Sequence, residues 1–223
     1  MCGRFTLTSP PQRLRERFAL AAAPETLVPR YNIAPSQEVL VIPNRTERLL
    51  RPARWGLVPH WAKDASIGHR LINARAETLA QRPAFRAALE RQRCVVPADG
   101  FYEWRRRGRA RQPFHLRGRD GATLALAGLW DVWQAPDGGR LASCTIVTVP
   151  ANEVVAAIHD RMPAILSPAG VDAWLDPAVA NAAALMPWLA PCPDDGLDAY
   201  PVSTWVNTPD HDDPTCVAPL ADG

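Results

Sequence analysis

The chain has 223 residues, 47% of them apolar and 22% charged, which is enough for one well-filled core and short for two. Charged or polar side chains interrupt every apolar run before membrane-spanning length, and no basic region followed by an apolar stretch opens the chain, so neither a membrane span nor a secretory leader is expected. Net charge is only +2, yet residues 1–120 hold 22 arginines and Lys63 against 10 acids (23 − 10 = +13), whereas residues 121–223 hold 2 arginines against 13 acids (2 − 13 = −11). Two consequences of this segregation stand open: binding of a polyanion such as nucleic acid, for which the planar arginine fork is suited, or neutralisation of one half by the other in the fold.

Phe5 and Leu7 mark a short N-terminal strand. Ser9-Pro10-Pro11, followed by Leu14, Phe18 and Leu20, predicts an amphipathic helix capped by Ser9 with proline in its first turn. Gln37–Ile42 and Leu49–Leu57 are apolar runs broken by prolines and read as strands. Ala76–Arg93 has helical composition, interrupted at Pro83. Cys94–Pro97 and Gly100–Trp104 read as strands, and Arg105–Gln112 as a basic loop leading to Pro113–Leu116. Thr123–Trp133 and Leu141–Val149 flank the turn Pro136-Asp137-Gly138-Gly139 and predict a hairpin. Helices are expected around 151–158, 168–175 and 178–189, and a last strand over Tyr200–Val206. The fold class is α+β, a mixed, mainly antiparallel, barrel-like sheet with peripheral helices in one domain over residues 1–223.

Five cysteines, Cys2, Cys94, Cys144, Cys192 and Cys216, are odd in number and lack a Cys-x-x-Cys pair, which argues against a disulfide framework and a zinc site and for a reducing compartment. No spacing suggests a metal or another cofactor. Cys2 directly follows Met1, and a side chain this small favours aminopeptidase trimming. Trimming exposes an α-amine, titrating at about 7.7–8.0, and a thiol, near about 8.5, on one residue. Such a 1,2-aminothiol condenses with aldehydes through nitrogen and sulfur together. The other reading of Cys2 is a small buried hydrophobe at the start of a strand.

Glu103 stands between Tyr102 and Trp104. An apolar wall raises a carboxyl pKa and suits it to acid–base work near neutrality, while the alternative is an edge carboxylate paired to one of Arg105–Arg107. His159, ahead of Asp160-Arg161, reads as catalytic or as structural. Asn73 and Arg75 alternate on a strand-like stretch, where an amide and a guanidinium hold an anionic substrate or form a satisfied surface pair.

These residues stand in longer strings: CGRF at 2–5, YNIAPSQ at 31–37, RWGLVPHWAKD at 54–64, INARAET at 72–78, RCVVPADGFYEW at 93–104, AGLWDVW at 127–133, TIVTVPAN at 145–152, IHDRMPAIL at 158–166 and YPVSTWVN at 200–207. In this order they resemble the SOS-response-associated peptidase family in its bacterial form, described as a shield of abasic sites, and the resemblance spans almost the whole chain. It implies a β-rich, barrel-like α/β fold with a positive cleft. It further implies that Cys2, freed of Met1, is the nucleophile that links to the open-chain aldehyde of an abasic deoxyribose as a thiazolidine. Asn73, Glu103 and His159 match the other active-site residues, Arg4 and Arg75 match positions near phosphates and sugar, and Trp61 matches a region that packs against DNA. His60 departs from the pattern, since a small polar residue is expected in Pro-x-Trp.

The implied partner is single-stranded DNA containing abasic sites, met by a monomer in the cytoplasm at the nucleoid. Lyase chemistry through a Schiff base is a related activity, with Lys63 the sole competing side-chain amine. A rival of another class is a cysteine peptidase (hydrolase) built from Cys2, His159 and Asn73, including one that acts on its own N-terminus. A third reading is a non-catalytic single-strand binder.

Overall fold

The computed structural model describes residues 2–108 and 110–220, with Arg107 given by its backbone alone. Met1, whose removal the aminothiol chemistry requires, and Arg109 of the basic segment lie outside the described residues. In chain order the elements are β1 (Phe5–Leu7), α1 (Pro11–Phe18), β2 (Arg30–Ile33), β3 (Glu38–Pro43), β4 (Arg51–Trp55), β5 (Asn73–Arg75), α2 (Pro83–Arg91), β6 (Arg93–Ala98), β7 (Gly100–Arg107) and β8 (Ala110–Gly118). They continue with β9 (Leu124–Gln134), β10 (Arg140–Pro150), α3 (Glu153–Ala156), β11 (Arg161–Pro163), α4 (Pro168–Leu175), α5 (Ala182–Leu185) and β12 (Leu197–Pro201).

The β9–β10 hairpin forms as the Asp137-Gly138 turn and the apolar runs on either side dictate. Its two strands also seal a ring. β10 runs parallel to β4 at Ser143 and Cys144, β4 pairs with β3, β3 with β6, and β6 with β9, so five strands close on themselves and leave no edge in the circle. Past the ring, the far end of β10 carries two short strands. Ile146–Thr148 pair in parallel with Asn73–Arg75, and Thr148–Pro150 pair antiparallel with Arg161–Pro163. A second, antiparallel sheet runs β12-β8-β7-β1-β2. It packs its apolar face into the core shared with the ring, Phe5 of β1 meeting Trp55 of β4 edge-on at 5.2 Å between ring centres. The expected α+β class with a mixed, mainly antiparallel barrel is therefore what the chain forms. Among the described residues no helix is long and apolar enough to cross a membrane.

Arg93 is the largest polar side chain buried in the core. Its guanidinium donates to Leu89 O (3.0 Å) and Glu90 O (2.8 Å) at the end of α2, and to Trp174 O (2.8 Å) and Asp176 O (2.6 Å) at the end of α4. Helix ends leave carbonyls without partners, and one cation here serves two of them.

Several expectations need correction. Ser9 does not cap α1: the cap is Pro10, without a side-chain bond, because Asp99 draws Ser9 away. The Asp99 carboxylate accepts the Thr8 and Ser9 N–H groups at 2.6 Å each, the Ser9 hydroxyl at 2.5 Å and the Thr123 hydroxyl at 3.0 Å. The basic loop Arg105–Gln112 is instead the outer part of the β7–β8 hairpin, paired in register Arg105↔Gln112, Arg106↔Arg111 and Arg107↔Ala110. Long arginine stems cover sheet as well as apolar residues do, and the Arg105 guanidinium sits 4.5 Å from the centre of the Phe114 ring. The helix expected over Ala76–Arg93 is a 3-10 turn at Ala76–Thr78 followed by α2, which starts on Pro83 as its first helical residue. The stretches around 151–158 and 178–189 shorten to α3, and to α5 with a 3-10 turn. The last strand ends at Pro201, since Ser203 accepts the Trp205 N–H and starts a 3-10 turn at Thr204–Asn207. β2 went unread because its polar residues are fixed from far away: Asp212 accepts the backbone N–H groups of Tyr31 and Asn32.

The charge segregation is answered in part by pairing across the two halves. Arg30 meets Asp212, Arg48 meets Asp172 at 2.7 Å, and Arg119 meets Asp198 at 3.0 Å.

Candidate active site

Cys2 lies just ahead of β1 and is fully buried, its thiol 3.7 Å from Arg4 O. The residue is held from the other sheet, since the Asn73 side-chain amide donates to the Cys2 carbonyl oxygen at 2.7 Å. Asn73 reaches it because β5 runs alongside β10, with Ala74 turned into the core and Asn73 and Arg75 turned away from it. Asn73 Oδ1 is buried and accepts no hydrogen bond among the described residues. Burial pushes the Cys2 thiol far above its ordinary pKa, and Glu103 acts in the same direction.

Glu103 is 2% exposed, so it is no edge carboxylate. Burial raises its pKa to about 7, and the negative charge of Asp160 adds to the rise. Glu103 shares a cavity of about 190 Å³ with His159, Trp104, Arg106 and Arg111.

His159 ends the α3 turn, which Asn152 caps by accepting the Val155 N–H, and its own N–H donates to Val155 O at 2.8 Å. The ring Nδ1 accepts the Arg161 N–H at 3.0 Å, which places the proton of the neutral ring on Nε2. Asp160 Oδ1 also stands 2.9 Å from Nδ1 and is the acceptor for the ionised ring. Burial lowers the His159 pKa, with Asp160 opposing. Behind the turn, Arg161 is bidentate to Glu77 at 2.6 and 3.1 Å and donates to Thr148 O at 2.6 Å, which fixes the start of β11 against β10.

The four expected site residues therefore gather at the junction of the two sheets. Asn73 touches Cys2, Glu103 lies within electrostatic reach of the Cys2 thiol, and His159 faces the same cavity as Glu103. The residues expected at DNA are placed differently. Arg4 turns its guanidinium onto Asn32 Oδ1 (2.8 Å), Val206 O (2.8 Å) and Asn207 O (3.2 Å), on the wall of an adjoining cavity of about 360 Å³ that Gly3, Trp104, Arg111 and Asn207 also line. Arg75 is exposed. Trp61 is 50% exposed on the β4–β5 loop. That loop is pinned where the sequence departs from pattern: His60 meets Asp131 Oδ2 through its backbone N–H (2.8 Å) and Nδ1 (2.9 Å), and Trp133 Nε1 donates to Ala62 O at 2.7 Å.

Arg106 and Arg111 were missed as site residues. They lie on the segment read as a loop, and the β7–β8 register that sets them opposite each other at the Glu103 cavity comes from strand pairing. Among the described residues no group of three or more His, Cys, Asp or Glu side chains is arranged to hold a metal ion, and the five cysteines are free.

Comparison with known proteins finds relatives along almost the whole chain. The chain is 42% identical over 221 residues to the abasic site processing protein YoqW of Bacillus subtilis, covering 97% of this chain and 99% of that one. It is 36% identical over 199 residues to the abasic site processing protein HMCES of Gallus gallus, covering 78% of this chain and 59% of that protein. A crystal structure of a Bacteroides thetaiotaomicron protein superposes with a TM-score of 0.89 at 25% identity, covering 99% of this chain and all of that one. A Bordetella bronchiseptica protein gives 0.75 at 29% identity over 91% of this chain. The family model described as SOS response associated peptidase (SRAP) matches residues 1–209, and the chain belongs to that family.

Proposed function

We propose that this protein processes abasic sites in single-stranded DNA by joining itself covalently to them through Cys2. The observation that carries this reading is a buried carboxyl, Glu103, poised at about pH 7 in one cavity with His159 and beside the anchored Cys2. Once Met1 is removed, the α-amine of Cys2 attacks the C1′ aldehyde of the open-chain sugar and gives a carbinolamine. Glu103 protonates the departing hydroxyl, water leaves, and an imine forms. The Cys2 thiol then adds to the imine carbon, its proton passing to the nitrogen, and a five-membered thiazolidine closes. The sum is aldehyde plus aminothiol giving thiazolidine plus one water. As the closed hemiacetal opens, the ring oxygen gains a proton and the anomeric hydroxyl loses one; His159, neutral with its proton on Nε2, donates a hydrogen bond to the ring oxygen, assists that transfer and ends neutral. Asn73 fixes the Cys2 backbone so that nitrogen and sulfur meet one carbon, a gain from proximity. Closure of the thiazolidine also removes the imine that drives β-elimination of the 3′ phosphate, so the strand is kept whole and lyase chemistry is suppressed.

The protonated thiol favours this order of events over a cysteine peptidase. A peptidase needs thiolate as first nucleophile, which burial opposes here, whereas the amine-first route calls on sulfur only after an electrophilic imine exists. The test is denaturing electrophoresis of trimmed protein with an abasic oligonucleotide. A band of the combined mass is expected, and it should vanish when one alanine is inserted between Met1 and Cys2, which leaves the thiol but buries the amine in a peptide bond. No band from the trimmed protein overturns the reading.

A further inference from the structure

The β7–β8 hairpin carries a like-charge pair that the fold does not use. Its register sets Arg106 directly opposite Arg111, and both are exposed. Like charges facing across a ladder destabilise it. Among the described residues neither guanidinium has an ion pair or a hydrogen bond, although Arg30, Arg48, Arg119 and Arg161 each find a carboxylate. Both arginines line the cavity of Glu103 and His159. Arg111, with Trp104, lines the adjoining cavity beside Arg4 as well, so the pair stands where the two hollows meet.

Two uncompensated guanidiniums at the mouth of a reactive cavity call for an anion that both can share, and the phosphodiester oxygens on either side of an abasic sugar have that chemistry. We infer that Arg106 and Arg111 form a clamp for a phosphate flanking the reacting sugar, holding the strand across the passage from the Arg4 cavity into the Glu103 cavity. This inference rests on the DNA reading above.

The test uses the full chain with Arg106→Gln/Arg111→Gln and, separately, Arg106→Glu. For the double variant, the concentration of abasic oligonucleotide giving half-maximal crosslinking should rise about 5-fold at 0.1 M salt, and the slope of log affinity against log salt should shrink by about 0.7, as expected for the loss of one shared single-strand phosphate contact. The plateau rate should change by less than about threefold, and the preference for abasic DNA over phosphate-free 2-deoxyribose, read by intact mass, should fall. Arg106→Glu separates binding from folding: it replaces repulsion with an ion pair to Arg111, so its thermal midpoint should hold or rise while half-saturation still weakens. A double variant with wild-type half-saturation and salt slope overturns the clamp, as does an Arg106→Glu variant whose weaker binding tracks a lowered midpoint. Binding of the intact, undamaged strand is measured in parallel. It judges the clamp even where no adduct forms, a result that would count against the covalent reading instead.

Discussion

The Asn73 side-chain amide donates to the Cys2 carbonyl oxygen at 2.7 Å, so a short strand hung on β10 fixes the residue that opens the other sheet. Asn73→Ala should slow adduct formation by about 10- to 100-fold, the scale of a misplaced nucleophile, while costing only about 1 kcal/mol of stability. Single-turnover crosslinking beside a urea titration checks both, and an unchanged rate would remove Asn73 from the site.

Cys2→Ser keeps the amine and replaces sulfur by a poorer trap. The expected product is an imine that borohydride captures but that falls apart on heating without reductant. A heat-stable adduct from the serine variant would show that sulfur is dispensable.

Glu103 gives two pH signatures. Its folded pKa, about 7, lies above the ordinary 4.5, so the folded state binds more protons than the unfolded one between those values. Stability attributable to this carboxyl is full below about pH 4.5 and is lost as pH rises through 7, on the order of 3 kcal/mol in all. Glu103→Gln should flatten that decline and stabilise the fold at pH 8. It should also lower the crosslinking rate by about 10²-fold or more and erase its inflection near pH 7. Thermal melts at pH 5 and 8 and a pH–rate profile measure both; a retained inflection would assign the acid elsewhere.

Arg93→Ala strips donors from four carbonyls at two helix ends and should cost roughly 3–5 kcal/mol, or about 10 °C of melting temperature. Arg93→Lys should rescue little, because a point charge cannot span both helix ends as the planar fork does. Calorimetry of the two variants decides the matter.

The far end of β10 shows where reading along the chain stops. Alternation and the Asp137-Gly138 turn made the β9–β10 hairpin legible, because both signals are local. The closure of the ring through β4 and the seating of Asn73–Arg75 beside Ile146–Thr148 join residues more than 70 positions apart. No periodicity encodes such pairings. Ser9 shows the same limit, since Asp99, a partner distant in sequence, holds its hydroxyl and the cap of α1 falls to Pro10.

What the sequence determined by itself was the inventory of side chains: a cysteine at the second position, one glutamate amid aromatics, one histidine before Asp-Arg, and an excess of arginine in the first half. What only the tertiary structure decided was their state. Burial raised Glu103 to about 7 and kept the Cys2 thiol protonated, and strand register turned a basic segment into two facing guanidiniums. The division follows from the physics: bond-forming capacity belongs to a side chain, whereas its charge depends on the solvent and neighbours that folding removes or supplies.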